Sequence, residues 1–229
     1  MKTMKEKGTM ILQGLALVLA IHLGMAVSQV AAGPPTDNVK AVIDEVMAIL
    51  HNPAYQAPGQ KANRLRLIEE SALRRVDYQE MGKRCLGDTW KRLTQSQQSE
   101  FIRMFTELLK ASYADKLDDF GKSKVAYEGE SVTGDTAEVR IRVLRPNDKI
   151  PVRFQLLNGP KGWMIYDLVI EDVSLVDNLR AEFGRVIKAS SYAGLVKCLQ
   201  LKLASNVSEL KSCPPAPVPA PKNKGKGGS

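Results

Sequence analysis

The run GWMIYDLVIEDVSLVDNLRAEF, Gly162 to Phe183, constrains this chain more than any other segment. It begins as a strand that is apolar on nearly both faces. Strict alternation places Trp163, Ile165 and Val169 on one side and Met164, Tyr166, Leu168 and Ile170 on the other. An open antiparallel strand normally keeps one polar face, so this one is expected to be covered on both. After Glu171 and Asp172 the period changes, and Leu175, Leu179, Phe183, Val186 and Ile187 recur at helical spacing. The two acids sit where they are expected to cap the helix that follows.

Three further strands precede this run. Val125 to Val132 is the first, followed by a turn at Gly134-Asp135. In the second, Val139, Ile141 and Val143 alternate with Glu138, Arg140 and Arg142, the pattern of a half-buried strand with a wet face. Pro146 to Lys149 turns into a third strand carrying Val152, Phe154 and Leu156, and Asn158 to Gly162 turns into the fourth. Such short connections build an antiparallel meander.

Helices lie on both sides of the meander in sequence. Val39, Val42, Ile43, Val46, Met47 and Leu50 form a stripe that ends before Pro53, and His51 to Gly59 reads as a loop. A second helix is expected over Gln60 to Arg75 and a short one over Tyr78 to Leu86, stopped by Gly87. Thr94 and Gln97 form a capping box opening a long helix to about Leu117, with Phe101, Phe105, Leu108, Leu109 and Tyr113 on one side. Two helices, Leu175 to Lys188 and Tyr192 to Leu203, close the domain. The order predicts an α+β fold: a four-stranded curved antiparallel sheet packed with helices that precede and follow it.

The ends of the chain differ from this body. Lys2, Lys5 and Lys7 precede an apolar run, Met10 to Val27, and Val30-Ala31-Ala32 offers a cleavage site before Gly33. Residues 1–32 therefore read as a secretory signal peptide, with an uncleaved anchor as the competing reading. Residues 33–210 are expected to form a single domain. Residues 211–229, KSCPPAPVPAPKNKGKGGS, form a Pro/Lys/Gly-rich tail that cannot build a core. Removing the signal leaves 30 basic and 24 acidic residues, and four of the excess lysines sit at Lys211, Lys222, Lys224 and Lys226. The folded body is close to neutral, which argues against a nucleic-acid partner. Of Cys85, Cys198 and Cys213, an exported protein can bridge two; the first two also read simply as buried small apolar residues.

Catalytic chemistry is thinly represented. His51 is the one histidine left after export, and it falls at a helix end with no marked nucleophile. Paired Cys/His spacing for zinc and a phosphate-binding Gly-rich loop are both missing, so no metal or cofactor is expected. Asp167 interrupts the apolar strand. A buried acid there suits a general base, or else a cap on backbone groups.

The run quoted at the outset, at Gly162, Trp163, Tyr166, Asp167, Ile170, Glu171, Val173 to Val176, Asn178 and Arg180, resembles a signature of the Mla-type periplasmic phospholipid-binding proteins, the MlaC or toluene-tolerance auxiliary family. A second passage, at Leu86, Gly87, Trp90, Thr94, Gln97, Phe101, Phe105, Leu108, Leu109, Tyr113 and Leu117, is similar to that family's central helices. The resemblance implies a non-enzymatic carrier that holds acyl chains in an apolar cavity between sheet and helices. It also implies a periplasmic location, transient membrane contact, an inner-membrane ABC transporter with an MCE subunit, and an outer-membrane lipoprotein–porin complex. Each acyl chain of about fifteen methylenes would contribute roughly 12 kcal/mol, at about 0.8 kcal/mol per CH₂. Lining candidates are Phe101, Phe105, Leu108, Leu109 and Tyr113 with Val139, Ile141, Val152, Phe154, Ile165, Val169, Val176 and Phe183, residues that an ordinary core would equally use. Arg140, Arg142, Arg145 and Arg153 fit either a phosphate-facing rim or a solvated outer sheet face. The alternatives are an isomerase or hydrolase using Asp167, and a carrier for a sterol-like or hopanoid lipid.

Overall fold

The computed structural model describes residues 34–57, 59–114 and 117–205, with the side chain of residue 118 excepted. The proposed signal peptide, the tail and Cys213 lie outside the described residues. Helix α1 covers Pro34–His51 and α2 Lys61–Leu73, with a 3₁₀ turn at Pro53–Tyr55 between them. Helix α3, Tyr78–Leu86, runs through a 3₁₀ segment, Gly87–Arg92, to α4, Gln95–Tyr113, and then to the short α5, Leu117–Gly121. Strands β1 Lys124–Thr133, β2 Thr136–Arg145, β3 Asp148–Gly159, β4 Gly162–Ile170 and β5 Val173–Ser174 follow, and α6, Leu175–Ala204, ends the fold.

The architecture is α+β, and its sheet is an open antiparallel meander in the order β1-β2-β3-β4-β5. It has five strands rather than four. Glu171 and Asp172 both adopt positive φ (49° and 65°), and Ile170 pairs with Val173 across them. That is the two-residue hairpin geometry that needs left-handed backbone at both central positions. The chain therefore doubles back on β4 before the helix starts. The cap of α6 is accordingly Ser174, whose Oγ accepts from the Asp177 N–H, and not Glu171 or Asp172.

The alternation expected along β4 also fails, for a local reason. Gln155 pairs with Asp167 but Leu156 pairs with Ile165, so Tyr166 is an extra residue, a β-bulge. Beyond it the faces exchange. Trp163 and Ile165 before the bulge and Leu168 and Ile170 after it all pack into the same cluster, while Tyr166 joins another.

Two clusters share the interior. The first is helical and joins α3, α4 and α6. Phe101, Phe105 and Phe183 are fully buried there, with ring centroids 5.7–6.4 Å apart, one pair stacked and two edge-on. Gly82 of α3 permits the close approach of α4, since a Cβ there would meet the Ile102 Cδ1 at 2.4 Å and the Phe101 ring at 3.2 Å. The second cluster lies between α1, Ile68 of α2 and the inner face of the sheet, with Val39, Val139, Ile141 and Leu156 at its centre. The capping box of α4 is complete in both directions, from Thr94 Oγ1 to the Gln97 N–H and from Gln97 Oε1 to the Thr94 N–H.

Other boundaries move slightly. α4 stops at Tyr113, short of Leu117. The last helix is continuous except at Ser191 (φ 76°, ψ 172°), which divides it where two helices were expected. Cys198 is disulfide-bonded, so it is more than a buried apolar residue. Cys85 is a free thiol, pushed up to about 12 by burial and then by Asp167 and Asp177.

Candidate functional site

Between the two clusters lies a pocket with a volume of about 810 Å³. This is toward the upper end of the range for small-molecule sites. One wall is α1, through Val42, Ile43 and Val46. Another is α2, through Leu65, Ile68 and Ala72. Val76, Tyr78 and Met81 close the end where α3 begins, and the second half of α4 supplies Leu108, Leu109, Ala111, Tyr113 and Ala114. The sheet contributes Phe154, Ile165 and Leu168. Phe154 and Leu168 are direct partners in the ladder. Ile165 reaches the same pocket because of the bulge.

Five of the thirteen residues expected to line an acyl-chain site are therefore brought together here: Leu108, Leu109, Tyr113, Phe154 and Ile165. Phe101, Phe105, Val176 and Phe183 are buried in the helical cluster. Val139, Ile141 and Val152 are buried under α1 in the sheet cluster, and Val169 is buried outside both clusters. Sequence reasoning missed α1 and α2 as walls, although both apolar stripes were visible. Nothing in a stripe states which layer it will face.

The ionic groups come from three helices. Glu69 of α2 and Arg103, Glu107 and Lys110 of α4 border the pocket, as does Lys202 of α6. Lys110 Nζ donates to Glu69 at 3.0 Å and to Glu107 at 2.8 Å. Partial burial works against its charge, but these two carboxylates outweigh that and hold the ammonium above the usual lysine range. Beneath them Tyr78 is raised by burial and then by Glu69.

α1 and α2 are fastened by a separate polar node. Glu45 accepts from Ser71 Oγ at 2.6 Å, Arg74 at 2.6 Å and Arg75 at 2.9 Å. Ser71, then Arg75, hold its carboxyl down to about 2. Arg75 also donates to Asn38, and its backbone carbonyl accepts from the Ile165 N–H. The segment around Val76 thereby covers the free edge of β4 ahead of β5.

Asp167 is buried, and its carboxylate is engaged. It accepts from the Leu168 N–H (2.8 Å), the Val176 N–H (3.0 Å) and Ser174 Oγ (2.6 Å). It does not line the pocket. Its place is that of a clasp between β4 and the start of α6. His51 bonds the Gly121 carbonyl through Nε2 at 2.7 Å, tying the end of α1 to α5.

The four sheet arginines are away from the pocket. Arg142 pairs with Glu128, and Arg140 and Arg153 share Glu138, with Arg153 also reaching Asp172. Arg145 is exposed at the end of β2. Among the described residues, no cluster of three or more His, Cys, Asp or Glu is arranged to hold a metal ion.

Known proteins resemble this chain in sequence and in fold. The chain is 28% identical over 148 residues to the intermembrane phospholipid transport system binding protein MlaC of Haemophilus influenzae, covering 62% of this chain and 69% of that protein. The solved structure of the phospholipid-binding protein from Ralstonia solanacearum, in complex with a phospholipid, superposes with a TM-score of 0.69 at 25% identity. It covers 76% of this chain and 99% of that one. A model of the family described as MlaC protein matches residues 40–201, a span that runs from α1 to the last turn of α6 and takes in every residue bordering the pocket except Lys202 and Leu203. The chain belongs to the MlaC family.

Proposed function

We propose that this protein is a soluble periplasmic phospholipid carrier that shelters acyl chains in the pocket between its two clusters. The observation that carries the reading is that pocket: large, and walled mainly by aliphatic and aromatic side chains. Acyl chains need such a lining, because an unsatisfied polar group facing them would cost energy. The relatives add to it, since one is named for intermembrane phospholipid transport and another holds a phospholipid. In this reading Leu108, Leu109, Tyr113, Phe154 and Ile165 touch the chains, and the headgroup stays at the solvent boundary near Arg103. Export by residues 1–32 delivers the carrier. An outer-membrane lipoprotein–porin complex and an inner-membrane ABC transporter with an MCE subunit are its exchange partners.

The enzymatic alternative loses its candidate base, because Asp167 is committed to three hydrogen bonds outside the pocket. Native mass spectrometry of gently purified protein tests the proposal. Copurified phospholipid, or uptake from phosphatidylethanolamine vesicles, is the expected result. A chain that stays empty in both experiments overturns it, and a sterol-like mass would redirect the ligand class.

A further inference from the structure

Resting on the carrier reading, we propose that the Glu69–Lys110 ion pair is a latch across the pocket mouth that sets how fast lipid enters and leaves. α2 and α4 both border the pocket, yet their backbones make no extensive contact with each other. The small residues Ala72 on α2, Ala111 on α4 and Ala114 at its C-cap also line the pocket. What crosses this gap is a side chain: Lys110 of α4 reaches Glu69 of α2 at 3.0 Å.

Both partners border the pocket and both touch solvent, with 36% of the Lys110 side chain and 23% of Glu69 exposed. The pair therefore stands at the boundary between apolar interior and water, where a lipid entering between α2 and α4 must part it. Glu107, one turn back on the same helix, holds the ammonium at 2.8 Å. That second carboxylate keeps Lys110 in place when Glu69 is released, so the latch can close again. A partly exposed pair is a weak bond. It is strong enough to delay exchange and too weak to block it. Because the pair is closed in the empty and the loaded carrier alike, opening it changes rates of entry and exit together and leaves affinity alone.

The test uses the full chain loaded with a fluorescent phosphatidylglycerol and mixed with phosphatidylethanolamine/phosphatidylglycerol vesicles. Lys110→Met and Glu69→Gln should each speed transfer roughly two- to fivefold in both directions, the range such a pair supports, with unchanged lipid retention at equilibrium. Lys110→Arg, which still reaches both carboxylates, should transfer at the wild-type rate. The difference between wild type and Lys110→Met should shrink as salt screens the pair. A wild type that exchanges lipid while Lys110→Met and Glu69→Gln match its rate overturns the latch, as does Lys110→Arg behaving like Lys110→Met. A wild type that never holds lipid overturns the carrier reading and the latch with it.

Discussion

The two halves of α4 obey different rules, though they belong to one uninterrupted helix. In the first half Phe101, Met104 and Phe105 are 0–1% exposed and interlock with Phe183. In the second, Leu109 and Tyr113 are only partly buried, and both border the pocket. The first half sets stability and the second is available for a ligand. A single amphipathic stripe therefore serves two purposes. The change comes at Leu108, which is both buried in the cluster and exposed to the pocket.

The largest effect that would separate the halves comes from truncating one residue in each. Phe105→Ala should cost about 3–5 kcal/mol in denaturant unfolding, because rigid neighbours cannot collapse into the space left. Leu109→Ala should cost about 1–2 kcal/mol in the same experiment, less than Phe105→Ala because its side chain is only partly buried, while lowering the amount of lipid retained. Equal losses of stability would abolish the distinction.

Asp167 lies outside both halves, where it clasps β4 to the start of α6. Asp167→Ala strands the Val176 and Leu168 N–H groups, one of them buried, and should cost about 2–3 kcal/mol by thermal unfolding. Lipid transfer by the fraction that remains folded should persist; its complete loss would reopen the question of a chemical role for this acid.

How much of this was legible follows the same division. The sealed half could be read residue by residue: the capping box at Thr94, the Phe101/Phe105 stripe and Phe183 opposite are each local patterns, and each is where periodicity puts it. The sheet alternation of Val139, Ile141 and Val143 was equally plain. The pocket half was not legible, because a pocket is made of the absence of contacts between distant segments. Glu171-Asp172 lacks the Asn-Gly or Asp-Gly composition that announces a two-residue hairpin, so β5 went unseen. The bulge at Tyr166 has no compositional sign at all. With Ile165 and Leu168 assigned to opposite faces, the pocket floor could not be drawn from sequence.

On the pocket side, α1 and α2 are joined by a polar node where the sealed side uses rings. Glu45→Gln should destabilise the protein by about 1 kcal/mol at neutral pH, a value held down by solvent screening. The sign with pH is definite. The Glu45 carboxyl sits at about 2 in the folded chain against an ordinary value of 4.5, so its contribution is complete above the ordinary value and is lost as pH falls toward 2. An acid titration of unfolding free energy should show a steeper fall for the wild type than for Glu45→Gln over that window. Parallel curves would remove the node from the comparison.

The smallest effect lies back on the sealed side. Ser191 holds φ 76° and ψ 172° inside α6, a region that side chains other than hydrogen avoid. Ser191→Gly should gain about 0.5–1 kcal/mol in thermal unfolding, with lipid transfer unchanged. Ser191→Val should lose at least as much. If both are neutral, the break in α6 carries no strain.

The extra residue at Tyr166 acts on β4 as an inserted letter acts on a reading frame. Everything upstream is read in one phase, and everything downstream in the other. A strand of the same length paired without the bulge would turn Leu168 and Ile170 out of the interior and bring Asp167 and Val169 in, while Trp163 and Ile165 kept their places. A carboxylate would then stand among apolar side chains on the pocket floor, and the clasp on α6 would be gone. Deleting Tyr166 itself removes only the surplus letter, and Leu168 and Ile170 stay in phase with Trp163 and Ile165. Deleting the paired Met164, two residues away, puts Trp163 on the opposite face from Ile165, so two deletions of equal size should differ as much as a silent change differs from a frameshift.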